Sequence, residues 1–356
     1  MEIKDKRLPS LDGWRALSIF LVLAAHTKET YDFPKSLDIY FKWLFDGDLG
    51  VRTFFLISGM LITWLLLNEE HSTGSISLKN FYIRRVLRIW PVYFTYLFVL
   101  LVLQIFTAYS QTGVMWLGNV LFMTNFFGAK WTNGHLWSLA VEEQFYFLWP
   151  VLMVVVKNKK VLIKLLLLTF VLAPISRVIT YLQPQAVPWK IIFTGYSFFN
   201  YWDSLAVGCL SSILVSINQK KVIYWVNKAK FYAPLLVLVP YILVKLFLLG
   251  PFTVSVGPLL QAIGICILVV YSVFEKEAFL HKILNTRLLV KIGVLSYSLY
   301  IWQMIFCSKP EYFGFSGNIL FSWKSWLLPV LLVASCSYYF LEKPFIGLRR
   351  YFHKKS

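Results

Sequence analysis

The sequence predicts an all-α, polytopic membrane protein of about ten transmembrane helices with both termini cytoplasmic. Three observations carry this. The 356 residues are 58% hydrophobic, 18% aromatic and only 15% charged, whereas soluble domains average about a quarter charged residues. Ten apolar stretches of roughly bilayer-crossing length follow one another along the chain. Lysine and arginine alternate loop by loop. Of the 35, 24 fall in the termini and even-numbered loops, against 8 in the odd-numbered loops. Cytoplasmic loops carry such an excess, which orients the whole chain.

The spans are expected near 10–27, 49–67, 90–109, 136–156, 161–181, 198–217, 231–249, 253–274, 290–307 and 319–341. The first follows a short basic segment, as a secretory signal does. It runs through Ala24-Ala25-His26-Thr27 into a charged loop with no small-x-small cleavage motif, so it reads as a retained helix. Pro174 is expected to kink or shorten the fifth span. A tight loop at Gly250-Pro251 joins the seventh and eighth. No repeat and no long polar stretch interrupts the pattern, so residues 1–356 read as a single membrane domain with no separate soluble domain.

Cys209, Cys266, Cys307 and Cys336 lie in or beside apolar stretches without metal-ligand spacing. They read as small hydrophobes, and no metal is expected. The net charge of +18 follows the topology. It suits attraction to an anionic bilayer rather than to nucleic acid.

Charged residues inside a span are costly and face protein or a wet cavity. Arg15 and His26 are eleven residues apart in the first span. That separation is about 16 Å of helix and about 1100° of turn, which leaves the side chains about 20° apart. Both therefore share one helix face, with Arg15 toward the inside and His26 near the outside. Arg15 alone also suits a snorkelling residue at the inner interface.

The densest polar cluster opens the fourth span at His135-Leu-Trp137-Ser-Leu-Ala-Val-Glu142-Glu143-Gln-Phe-Tyr146. A carboxylate beside a histidine orients the ring and makes it an effective general base. A structural network between helices would use the same residues. Glu142 and Glu143 point about 100° apart and cannot serve one site equally. On the cytoplasmic side, Arg85 and Arg88 share a helical face before Pro91. Arginine forks suit phosphates, and a juxtamembrane anchor to acidic lipid suits them equally. Asp203, at the start of the sixth span, fits either the outer cavity or a helix N-cap.

At these residues the chain resembles the acyltransferase-3 family of integral membrane acyltransferases, which includes O-acetylases of bacterial surface polysaccharides and lipopolysaccharide. Leu11-Asp-Gly-Trp-Arg15 with His26 matches its Arg-x10-His first helix. Phe54-Phe-Leu-Ile-Ser-Gly59 with Leu61-Ile-Thr63, and Arg85-x-x-Arg88 before Pro91, match the next signatures. Trp137-Ser-Leu-Ala-Val-Glu142-Glu143-Gln-Phe-Tyr146, Ser296-Tyr297-Ser-Leu-Tyr300 and Glu342-Lys343-Pro344-Phe345 complete the order.

The resemblance implies an O-acetyltransferase in the bacterial inner membrane, with acetyl-CoA as cytoplasmic donor and a hydroxyl of an envelope glycan or glycolipid as outer acceptor. Arg85 and Arg88 would meet the donor's phosphates, and its pantetheine arm would pass Arg15. His26 would deprotonate the hydroxyl or take the acyl group itself, with Glu142 as its charge partner. Trp137, Glu143, Tyr146 and Asp203 would line the acceptor side, with outer loops 28–48, 110–135 and 308–318 around them. Two positions depart from the pattern. Gln303 stands where many members have histidine, and Tyr201-Trp202 where many have arginine. No C-terminal esterase-like domain is expected, and one membrane domain is expected to complete the transfer or to pass the acyl group to a partner protein. A secondary transporter or a non-catalytic scaffold would also place charges inside spans. The absence of two related halves weighs against a transporter.

Overall fold

The structure is a computed structural model that describes residues 8–182, 195–246, 248, 250–315, 317 and 319–352. Among them it forms helices and turns, with one isolated parallel bridge between Tyr31 and Ser322. The ten main helices are α1 (Leu11–Thr27), α2 (Gly47–Thr73), α3 (Leu78–Phe106), α4 (Leu136–Val155), α5 (Lys159–Leu182), α6 (Trp202–Ala229), α7 (Ala233–Lys245), α8 (Gly250–Phe274), α9 (Arg287–Phe306) and α10 (Leu327–Ser337). One lies at each predicted apolar stretch. By length and composition, six helical segments can cross a membrane, and a seventh if α6 and α7, bent by 55°, form one span. At 17, 13 and 11 residues, α1, α7 and α10 each fall short of an 18-residue span. The fold is that of an all-helical multi-pass membrane protein.

Several ends differ from expectation. α3 starts at Leu78, so Arg85 and Arg88 belong to the same helix as the apolar span after them. Ser77 caps that helix by accepting from the Asn80 amide at 3.4 Å. Pro174 sits inside the 24 residues of α5 without ending it. α6 carries a non-helical residue at Asn218, where the sixth span was expected to stop. The tenth stretch is broken. Trp323 donates its amide to Tyr31 O (3.1 Å), and α10 begins only at Leu327. It then widens into a π-helical turn, Tyr338–Glu342, before a short helix, Lys343–Leu348.

The chain divides into two compact units. The first comprises residues 1–18, 48–71 and 145–294; the second comprises 19–47, 72–144 and 295–356. The boundary falls within α1, α4 and α9 and cuts the two ends of α2.

The first unit packs its apolar core around Trp14, Leu56, Met60, Ile265 and Val269. One of its close crossings is between α2 and α6. A β-carbon at Gly59 would meet the Leu205 carbonyl, and one at Gly208 the Leu56 carbonyl. Small residues let helix backbones approach this closely in lipid. Ser58 Oγ and Tyr146 OH then meet at 2.5 Å, and the Trp149 indole N–H donates to Thr63 Oγ1 at 2.8 Å.

The second unit buries Tyr93 and Tyr96 of α3 completely. The segment between α3 and α4 is fastened by side-chain amides rather than left open. Asn133 Nδ2 donates to Gln111 Oε1 (3.1 Å) and Asn119 Oδ1 (3.0 Å). Tyr93 OH donates to Asn119 O (2.7 Å), and Tyr96 OH to Thr132 O (2.5 Å). Buried polar groups that satisfy one another in this way rigidify a segment.

Candidate functional site

His26 lies one residue before the end of α1, half-buried, in the second unit. Its Nδ1 is 3.0 Å from Gln303 Oε1 on α9. The edge of the Trp131 ring meets the imidazole at right angles, with centroids 5.9 Å apart. Trp131 is itself held by its indole N–H, which donates to Cys307 O at 3.3 Å. Among the described residues, the other ring nitrogen, Nε2, has no hydrogen-bond partner. His135, just before α4, is buried and donates from Nε2 to Ile301 O at 3.0 Å. Tyr300 OH donates to His135 O at 3.0 Å and lies 2.6 Å from Ser138 Oγ. These bonds tie the start of α4 to α9 beside the His26 partner.

The basic and acidic motifs also gather in this unit. Glu143 lies within the electrostatic range of both Glu142 and Arg85. Around the Tyr297 phenol stand the charges of Glu342, Glu143 and Arg88, and that phenol donates to Ile89 O at 2.7 Å. Glu342 is fully buried at the end of the π-helical turn and accepts from Ser298 Oγ at 3.1 Å. Arg85 sits over the Phe81 ring at 5.5 Å. The motif residues Arg85, Glu142 and Glu143, and around Tyr297 the residues Arg88, Glu143 and Glu342, thus lie within electrostatic range of one another in this unit. Trp137 is half-buried on α4.

The remaining candidates fall in the first unit. Arg15 lies 3.8 Å from Asp12, its side chain 22% exposed. Tyr146 is buried against Ser58. Asp203 is completely buried on the first turn of α6. Its Oδ2 takes Arg177 Nη2 at 2.7 Å, and its Oδ1 accepts the Ser204 amide at 2.8 Å. Arg177 also donates to Ser255 O and Asn200 O.

Beside it, Arg52 pairs with Asp48 at 2.6 Å and stacks 4.2 Å above the Tyr201 ring, whose hydroxyl donates to Asp48 Oδ1 at 2.9 Å. Sequence reasoning missed these two buried arginines, because they sit among loop cations. The one signal available was Asp48, four residues before Arg52; Asp203 lies 26 residues from Arg177. Among the described residues no group of three or more His, Cys, Asp or Glu side chains is placed to hold a metal ion.

Apolar helices of membrane-crossing length, with a half-buried histidine and a group of arginines and carboxylates in one unit, define a multi-pass membrane protein with titratable and charged side chains inside its bundle. The chain belongs to the acyltransferase-3 family: a family model described as an acyltransferase domain matches residues 8–338.

Among curated proteins, it is similar to a peptidoglycan O-acetyltransferase of Listeria monocytogenes. The two are 28% identical over 95% of this chain and 56% of that protein. A putative peptidoglycan O-acetyltransferase of Bacillus subtilis is 27% identical over 95% of this chain and 54% of its own length. A putative O-acetyltransferase of Staphylococcus aureus is 26% identical over 96% and 58%. The chain therefore spans a little over half the length of these relatives. No solved structure matches it.

Proposed function

We propose that this chain is a membrane O-acetyltransferase that moves an acetyl group from cytoplasmic acetyl-CoA to a hydroxyl of an envelope glycan at the outer side of the bacterial inner membrane. Peptidoglycan is the leading acceptor class, because two of the similar proteins carry it in their names. The observation that carries the reading is His26, half-buried, held at Nδ1 and open at Nε2. Ten spans with both termini cytoplasmic, in a single domain, complete the proposed topology.

In this reading Arg85 and Arg88 hold the donor's phosphates, and Arg15 lies along the donor's path by the helical phase it shares with His26 on α1. Nε2 of His26 takes the hydroxyl proton as the acceptor oxygen attacks the thioester carbonyl. The carbon–sulfur bond breaks, and the thiolate leaves with the proton that His26 returns. General-base help of this kind contributes about 10²- to 10⁴-fold. Glu142 is assigned to balance charge when His26 is protonated, although the charges that act on the resting ring are those of Lys28, Glu29 and His135; Trp137, Glu143 and Tyr146 are assigned to the acceptor. Asp203 acts through its ion pair with Arg177.

The test uses purified protein in lipid with acetyl-labelled CoA and soluble glycan fragments. Label transfer or thioester hydrolysis that disappears in folded His26→Ala supports the reading. Undiminished turnover in that variant removes His26 as the base.

A further inference from the structure

Gln303 stands where many family members have histidine, and it is the residue that grips His26. It is fully buried on α9. Its amide has one donor end and one acceptor end. The donor end, Nε2, gives its hydrogen to the Tyr300 carbonyl at 3.2 Å, an oxygen that can only accept. The other end, Oε1, therefore faces His26 Nδ1 at 3.0 Å. An amide oxygen can only accept, so Nδ1 must carry the hydrogen. A neutral imidazole has one such hydrogen, and its lone pair then sits on Nε2.

The anchor is itself anchored, because Tyr300 bonds to the His135 carbonyl and to Ser138. The Trp131 ring packs against the His26 ring at near right angles, with centroids 5.9 Å apart. The charged or titratable groups that act on His26 are Lys28 and Glu29, just beyond its helix, and His135 at the start of α4. None of them supplies the bond to Nδ1.

We propose that Gln303 is a positioning residue that fixes His26 as the Nδ1–H tautomer and so presents a basic Nε2 to the acceptor hydroxyl. A carboxylate at this place would favour the charged ring. An amide orients the ring without adding charge and so keeps the base in its reactive form. The inference rests on the reading of His26 as general base, but the tautomer itself is measurable without turnover.

The experiment is solid-state nitrogen NMR of protein carrying ¹⁵N-histidine in bilayers, with the His26 signals identified as those missing in His26→Ala. The wild-type spectrum is expected to show protonated Nδ1 and unprotonated Nε2 for His26. Gln303→Leu is expected to show both tautomers and a kcat lower by roughly 10- to 100-fold, part of the full general-base effect, with donor KM within about twofold. Gln303→Glu keeps an acceptor opposite Nδ1, so Nδ1 is expected to stay protonated, but its charge favours the doubly protonated ring and is expected to move the onset of turnover to higher pH. A wild-type His26 protonated at Nε2 overturns the proposal, as does an unchanged tautomer in Gln303→Leu. So does a kcat unaffected by that change. An active His26→Ala would sink the general-base reading while leaving the tautomer assignment standing.

Discussion

Arg177 in the first unit and His26 in the second are both drawn from water, and their surroundings treat them differently. Arg177 engages Asp203, two backbone carbonyls and no open space, with its carboxylate partner completely buried. His26 has one nitrogen bonded to Gln303 and, among the described residues, nothing bonded to the other. A charge closed on all sides organises helices. A titratable ring bonded at one nitrogen keeps the other for the proton transfer proposed above. Burial alone therefore does not distinguish the two; the open nitrogen is what the proposed chemistry uses.

The largest expected effect comes from opening the closed side. Arg177→Leu leaves Asp203 buried without its countercharge, a loss of about 3–5 kcal/mol. Thermal unfolding in detergent checks it. The double variant Arg177→Leu with Asp203→Leu should be more stable than the single one, because no lone charge remains. If the single variant matches wild type, the contrast between the two regions fails.

On the chemical side, Arg85→Ala with Arg88→Ala should raise the acetyl-CoA KM by about 10- to 100-fold, the scale of one or two lost charge-assisted bonds. A KM that stays put would leave those arginines as lipid anchors.

Gly59→Ala tests the rigidity of the closed side. A methyl pressed on the Leu205 carbonyl must push α2 and α6 apart, at a cost of about 1–3 kcal/mol. An unshifted unfolding midpoint would show that this crossing yields easily. The smallest effect is expected for Tyr146→Phe, which removes the bond to Ser58 and lowers stability by about 1 kcal/mol. A loss of turnover larger than the loss of stability would support the acceptor-side place proposed for Tyr146; an equal loss would leave it as a helix tie.

The helices were legible in the sequence because lipid imposes an apolar run on each. Their ends were less so. Hydrophobicity marks where lipid stops, whereas hydrogen bonding carries α3 twelve residues further, back to Leu78. The break before α10 follows from a pairing between Tyr31 and Trp323, which lie at opposite ends of the chain.

The motif residues of the candidate site were visible by type. The partner of His26 was not, because Gln303 is 277 residues away and carries no charge to attract notice. Arg52 and Arg177 were misread as ordinary loop cations for a related reason. A basic residue near a span end looks the same in sequence whether it meets water or a buried aspartate.

The wide turn at Tyr338–Glu342 accommodates one residue more per revolution than an ordinary helix. Removing a single amino acid there would let the strand of backbone relax to regular winding, and everything after it would swing by about 100°. Glu342 would leave its seat beside Ser298, and Lys343-Pro344-Phe345 would confront different neighbours. That irregular loop of backbone therefore works as an indexing pin: the tail keeps its aim only while the surplus residue stays in place.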